Sequence, residues 1–419
     1  MRSLNVWWDG RLVGELTQNR SGDLGFAYSP GWLEQDGCPP VSASLPKRAK
    51  AFSRRECRPF FGGLLPDESQ RDAAAKALGV SPANDFAMLD RLGGDVAGAL
   101  QLLAPDQAPP KAGPTTKPTL LDDVGLIRVL DALPRSPVLA GMGGLRLSLA
   151  GAQSKVPVVL VDNEIALPAP NQPTTHILKP PISRFESTTE NEALVMRLAA
   201  TIGLDVAPVE ARVVCNRAFL LVKRYDRTVD QDGGVRRIHQ EDFCQALGRP
   251  PETKYASEGG PAFRDCFALL RRVAARPAVD ALKLLDAAIF NLAVGNSDAH
   301  GKNFSILYGD AGARLAPLYD LLATVAYPDL SPKLAMNMGG KATLAEIDAR
   351  AWADFAAQAE LGLPLVRRRV GEMTDKVRAS ASDAAGSLQL PGLDEAALQR
   401  FAGLTVERAE RCAMTAARN

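Results

Sequence analysis

The sequence lacks the features that mark a membrane span, a secreted disulfide scaffold or a bare nucleic-acid clamp. No uncharged apolar run approaches the roughly 18 residues that cross a bilayer. The start, Met-Arg-Ser-Leu-Asn-Val-Trp-Trp-Asp, meets an acidic side chain before an apolar signal core can form. Neither sign of charge prevails, since 49 basic and 48 acidic side chains leave a formal net charge of +1. A protein that wraps nucleic acid by itself carries a basic excess or a dense basic stripe. Any contact with DNA is therefore expected to be indirect or weak. Cys38, Cys57, Cys215, Cys244, Cys266 and Cys412 stand at no metal-ligand spacing, and a chain of 419 residues needs no disulfide staples. Reduced thiols, a soluble cytoplasmic chain and no membrane association are expected. No internal repeat is present.

What is there is ordinary globular material. Apolar residues make up 46% and charged residues 23%, and the length exceeds what one core supports, so two or three lobes are expected. Asp9-Gly10 between apolar residues is a hairpin signal. Leu24, Phe26 and Tyr28 alternate as one face of a strand. A helix is expected from about Pro66 to Leu78, stopped by Gly79. Of Trp7 and Trp8, one is expected in the core and the other at the surface. From Ala104 to Pro118 the prolines Pro105, Pro109, Pro110, Pro114 and Pro118 mark a linker or exposed loop. Short β-branched runs follow at Val156–Val161, His176–Lys179, Val209–Val214 and Phe219–Val222, with a helix over Glu190–Ile202. After Asp242 the pattern turns helical. Strands first and helices later predict an α+β chain, divided at 1–103, 104–118, 119–242 and 243–419.

The sharpest local feature is Gly295-Asn296-Ser297-Asp298-Ala299-His300-Gly301-Lys302-Asn303-Phe304-Ser305, which follows an apolar helix. Asp298 and Asn303 have the D-x-x-x-x-N spacing of a protein-kinase catalytic loop. There an aspartate accepts the proton of the attacking hydroxyl and an asparagine amide oxygen binds magnesium. Seventeen residues on, Asp320 lies in Pro317-Leu318-Tyr319-Asp320-Leu321-Leu322. A carboxylate among apolar residues needs its charge compensated, and a metal ion would do so.

Upstream, the remaining parts of a kinase are present in order. Ser148-Leu149-Ala150-Gly151-Ala152-Gln153-Ser154-Lys155 precedes a strand, as a loop covering phosphates with backbone N–H groups would. Lys179 ends the next strand and can neutralise phosphate charge. Glu190 and Glu192, on the helix that follows, are both candidates to hold that lysine, with Glu192 slightly preferred. Gln240-Glu241-Asp242-Phe243 falls where strands give way to helices, the place of an adenine-binding hinge. His300 is either a loop histidine bonded to backbone or a nucleotide contact. Lys302 either screens Asp298 and the transferring phosphate or is simply solvated.

These segments resemble the HipA family of bacterial toxin kinases. The family carries A-G-A-Q-x-K, I-L-K-P, Q-E-D-F, N-x-D-x-H-x-K-N-F-S and Y-D-L/I-L elements, which here are Ala150–Lys155, Ile177–Pro180, Gln240–Phe243, Asn296–Ser305 and Tyr319–Leu322. Phe60–Asp67 and Gly93–Gln101 resemble the family's N-terminal unit. The resemblance implies a two-lobed protein-kinase-like fold with an extra N-terminal subdomain, a mixed α/β lobe and a helical lobe. It implies ATP and Mg2+ as cofactors and Asp298 as catalytic base, with Asn303 and Asp320 on the metal. Ala150, Gly151, Ala152, Gln153, Ser154, Lys155, Lys179, His300 and Lys302 would lie against the nucleotide, and Glu241 and Phe243 on its adenine side. Ser148 matches a serine that members autophosphorylate to expel the loop. It also implies a HipB-like helix-turn-helix antitoxin as partner, with DNA reached mainly through it. The implied protein substrate is translation-related, such as an aminoacyl-tRNA synthetase, whose loss causes growth arrest and persistence.

Two other readings share these residues. A small-molecule kinase uses the same catalytic spacing, though usually with a different hinge and no such N-terminal unit. A non-catalytic co-repressor of an antitoxin would need none of Lys179, Asp298, Asn303 and Asp320. The absence of G-x-G-x-x-G, D-F-G and A-P-E sets the chain apart from ordinary protein kinases and excludes assuming activation-loop control.

Overall fold

A computed structural model describes residues 1–109, 117–140, 145–230 and 234–417. Residues 110–116 of the expected linker lie outside the described residues. The chain forms two units. One comprises 1–180, 222–252 and 307–309, and the other 181–221, 253–306 and 310–419.

The first unit begins with an antiparallel sheet in the order Leu24–Tyr28, Arg11–Gln18, Arg2–Trp8, Leu100–Leu103. The first two strands to form along the chain pair Leu4 with Leu16 and Trp8 with Arg11 across the Asp9-Gly10 turn. Both turn residues have positive φ (48° and 73°), the conformation that such a two-residue hairpin demands. Leu4, Val6, Val13, Leu16, Leu24, Phe26 and Tyr28 are buried, as their alternation predicts. The two tryptophans differ from expectation. A register shift between Val6 and Trp7 interrupts the alternation, so both are half-buried, and Trp8 lies 4.4 Å from the His239 ring.

Helices Arg54–Gly63, Glu68–Leu78 and Asp85–Leu92 accompany this sheet. The middle one ends where expected, at Gly79 with φ 66°. Further along, Val156–Val161 pairs antiparallel with both Glu164–Leu167 and His176–Lys179.

A buried ionic cluster joins distant parts of this unit. The Asp95 carboxylate meets Arg224 at 3.2 Å, Arg227 at 2.9 Å and Arg237 at 2.9 Å, and accepts the Thr174 hydroxyl at 2.7 Å. Asp226 pairs with Arg224 at 2.8 Å and accepts the Gly98 N–H at 2.7 Å. Burial pushes the Asp95 carboxyl up, but the three guanidiniums outweigh it and hold the group well below the usual carboxylate range.

The second unit is mainly helical. Its Pro277–Val294 helix buries Leu284, Leu285, Ala287, Ala288, Ile289, Phe290 and Leu292, and so is apolar nearly all round, as a central helix must be. Around it stand Phe263–Val273, Leu363–Gly386 and Glu395–Ala417, while Thr188–Thr201 packs on the latter two. Gly295 ends the central helix with φ 81°, and a Cβ there would meet Val325 Cγ2 at 2.3 Å. The chain can turn into the Asn296–Ser305 segment only through a residue without a side chain. The chain as a whole is α+β, as expected.

Candidate active site

The residues singled out in the sequence fall into two groups, one in each unit. In the second unit the catalytic-loop segment is fixed to the end of the central helix. Asn296 donates to Asn291 Oδ1 at 2.8 Å and accepts the Asp298 N–H at 3.2 Å. Ser297 N–H donates to Thr324 Oγ1 at 2.8 Å. Asp298 is left exposed, and its Oδ1 accepts the Tyr255 hydroxyl at 3.0 Å.

Gly301–Asn303 forms one 3-10 turn, which returns Asn303 toward Asp320. The Asn303 Nδ2 donates to Asp320 Oδ2 at 3.2 Å, and its Oδ1 accepts the His300 N–H at 3.3 Å. Asp320 has φ 60°, a left-handed conformation that costs a non-glycine residue about 1–3 kcal/mol and clusters at functional sites. Tyr319 holds the neighbouring backbone by donating to Lys302 O at 2.7 Å.

Asn303 and Asp320 thus supply adjacent oxygen-bearing groups. Among the described residues no group of three or more His, Cys, Asp or Glu could hold a metal. One carboxylate beside one amide oxygen is a donor set that could hold magnesium, which is commonly bound by one or two carboxylates together with substrate phosphates.

His300 and Lys302 are buried beside this pair. Burial, then the charges of Lys254 and Lys302, push the His300 imidazole down to about 3. It is neutral at physiological pH, and its Nδ1 has no hydrogen-bond partner among the described residues.

In the first unit, the loop 148–155 is tied at four points to residues Leu64, Asp67, Gln70 and Asp95 and at a fifth to itself. Ser148 is buried, donates its hydroxyl to Leu64 O at 2.7 Å, and donates its N–H to Asp95 O at 3.0 Å. Asp67 N–H donates to Gly151 O at 3.2 Å, and the Ser154 hydroxyl donates to Gln70 Oε1 at 3.0 Å. Lys155 Nζ folds back to Ala150 O at 2.9 Å. Gly151 has φ 113°, a conformation that residues with side chains rarely adopt. Ala150 and Ala152 are half-buried between these ties. Gln153 Nε2 reaches Pro180 O at 3.3 Å, so the loop lies beside the end of the strand carrying buried Lys179.

The expected hinge is also in this unit, and both its named side chains are buried. Glu241 accepts from the Ser42 hydroxyl, from Ala43 N–H at 2.9 Å and from the Tyr308 hydroxyl. Burial pushes its carboxyl up to about 7 against those hydrogen bonds. Its side chain is thus spent on residues 42–43 and 308, and what it offers a ligand is backbone. Glu190, one of the candidate lysine partners, accepts Asp394 N–H at 3.2 Å in the second unit, where Glu192 is buried too.

Residues that the motifs did not single out complete both groups. Tyr255 and Lys254 carried no recognised pattern. His239 sits among Trp8, Phe60 and Tyr308 with Nε2 at 2.8 Å from Val41 O. Burial pushes this imidazole down to about 4. Its neutral form is therefore required by the fold, and the stability it contributes is complete above about pH 6.5 and lost as pH falls toward 4. The chain has 3 histidines, so NMR can follow each ring. The His239 ring is expected not to titrate above about pH 5, and a midpoint near 6.5 would contradict the burial argument.

Comparison with known proteins gives the family and the fold. Residues 147–385 match the HipA-like C-terminal domain, and residues 4–103 match the HipA N-terminal domain. A protein of Sinorhizobium fredii named putative kinase Y4mE is 67% identical over 412 residues, covering 98% of each chain. The serine/threonine-protein kinase toxin HipA of Shewanella oneidensis is 30% identical, over 96% of this chain and 93% of its own. A solved structure of Shewanella oneidensis HipA with HipB and its operator DNA superposes with a TM-score of 0.83 at 28% identity, covering 97% of each chain. The expected kinase-like α+β fold is that of HipA. No helix of the described residues is long and apolar enough to cross a membrane. With both domain models matched and a relative 30% identical over 96% of its length, the chain belongs to the HipA family.

Proposed function

We propose that this protein is an ATP- and Mg2+-dependent serine/threonine protein kinase that modifies its own Ser148. In this reading residues 1–103 are an accessory subdomain, 104–118 a linker, 119–242 the nucleotide lobe and 243–419 the catalytic lobe. The observation that carries it is the meeting of Asn303 with Asp320 at 3.2 Å on the segment that leaves Asp298 exposed. Asp298 takes the proton of the acceptor hydroxyl. Asn303 and Asp320 would hold magnesium, which neutralises phosphate charge when bound. Lys179, Lys302 and the backbone of 150–155 bind and orient the phosphates, with neutral His300 as a further nucleotide contact.

Ser148 acts as a switch. Its hydroxyl is buried against Leu64 O, a site with no room to solvate a phosphate dianion, so modification would break the ties of the loop. The name serine/threonine-protein kinase toxin, borne by one relative, supports a toxin kinase. On the family resemblance alone, its acceptor would be a translation-related protein such as an aminoacyl-tRNA synthetase, whose modification arrests growth. The HipA–HipB–operator complex supports a helix-turn-helix antitoxin as partner.

Purified protein given γ-labelled ATP is expected to label itself, with mass spectrometry placing the phosphate on Ser148. Ser148→Ala should remove most of this label while labelling of an external protein acceptor persists. Transfer to small alcohols but not to protein would overturn the reading.

A further inference from the structure

Tyr255 belongs to no recognised motif, yet its backbone and ring are both fixed toward the catalytic segment. Its carbonyl closes a tight loop by accepting the N–H of Glu258 at 3.0 Å and of Gly260 at 2.9 Å. The neighbouring Ala256 N–H donates to Ala335 O at 3.0 Å, and Ala335 N–H in turn donates to Ser297 O at 2.8 Å. This chain of bonds references the Tyr255 loop to the residue just before Asp298. The tyrosine ring meets His300 edge-on, with centroids 5.4 Å apart at 80°. On its other side Lys254 Nζ stands 5.2 Å from the ring centroid. The hydroxyl then donates to Asp298 Oδ1 at 3.0 Å.

A hydrogen bond to an exposed carboxylate contributes little to stability, because water would serve the oxygen as well. Catalysis gives it a purpose. An aspartate acting as base must present a lone pair within about 2.6–3.2 Å of the proton it takes, and a donor held on one of its oxygens limits how the carboxylate can turn. A phenol is protonated at neutral pH and so is a constant donor. Anchoring Oδ1 fixes the carboxylate plane, and an ionised carboxylate has acceptor capacity for a second donor.

We infer that Tyr255 is a positioning residue for the Asp298 base, an inference that rests on the kinase reading above. In the step it serves, the acceptor oxygen bonds to the γ-phosphorus. The bond from that phosphorus to its bridging oxygen breaks, with the electron pair leaving on ADP. The hydroxyl proton passes to the carboxylate that Tyr255 orients.

The test uses the full chain, following the rate of self-labelling across ATP concentrations for wild type, Tyr255→Phe and Tyr255→Leu, with a thermal midpoint for each. Both variants are expected to lose about tenfold in maximal rate, with half-saturating ATP within about twofold and Tyr255→Phe melting as wild type does. A Tyr255→Phe maximal rate within about twofold of wild type overturns the inference, whatever the leucine variant does, because the hydroxyl would then be idle. So does a loss confined to ATP affinity, or one that tracks a lowered midpoint. A wild type that transfers no phosphate fells the kinase reading itself, and this inference with it.

Discussion

Asp298→Asn is expected to leave the protein folded and to lower phosphate transfer by about 10²–10⁴-fold, the usual contribution of a positioned general base. The substitution keeps shape and the ability to accept from Tyr255, whose hydroxyl lies 3.0 Å from Oδ1, but removes the basic lone pair. Because the side chain is exposed, the cost in stability should stay within about 0.5 kcal/mol. ATP affinity should change little, since phosphate is bound by other groups. Labelling rate, nucleotide binding and thermal midpoint measured on the same preparation separate these effects. Transfer undiminished in the variant would mean that another group takes the proton, and the assignment of the loop would have to be withdrawn.

The second large effect is on stability and lies far along the chain from that loop. Asp95→Ala removes the carboxylate that meets Arg224, Arg227 and Arg237. All three guanidiniums would keep their charge. The Asp226 carboxylate would remain, at 2.8 Å from Arg224 and 2.9 Å from Arg227, in a site where those two arginine side chains are 2% exposed. Stranding buried charge in this way costs about 3–5 kcal/mol, a large share of the roughly 5–15 kcal/mol that holds a domain together. The loss should appear as a lower denaturant midpoint. Asp95→Asn, which keeps the acceptor oxygen for Thr174 but not the charge, should recover only part of it. A loss below about 1 kcal/mol for the alanine variant would show that water replaces the carboxylate in that cluster.

Local patterns in the sequence were sufficient wherever one physical cause dominates. Asp9-Gly10 turned the first hairpin because both positions need positive φ, and Gly79 stopped its helix for the same reason. Leu24, Phe26 and Tyr28 alternated into the core. The apolar run before Gly295 became the buried central helix. The Arg54–Gly63 helix was not expected, since it carries Pro59 and two terminal glycines and has a polar average composition. Its one local sign was Ser53-x-x-Glu56, where Glu56 Oε2 accepts the Ser53 N–H at 2.9 Å. Phe60 and Phe61, fully buried, supply the rest through tertiary contact.

The site was legible in the same uneven way. Asp298, Asn303 and Asp320 could be picked out because phosphoryl transfer fixes their types, spacing and order. Tyr255 could not, since a tyrosine 43 positions before its partner leaves no periodic trace. Glu241 was found by position, but the capture of its carboxylate by Ser42 and Tyr308 depends on contacts across 199 and 67 positions. The ionic cluster around Asp95 is of that kind too: nothing near Asp95 in sequence announces arginines more than a hundred residues later.

That separation has a consequence for how the chain is made. Arg237 leaves the ribosome 142 residues after Asp95. At about 5–20 residues per second this is a wait of roughly 7–28 s. Until residue 224 is made, the nascent N-terminal segment carries a carboxylate none of whose guanidinium partners yet exists. A chain ended anywhere before residue 224 has none of the three guanidiniums, and its Asp95 carboxylate is left without the ion pairs that hold it in the full chain.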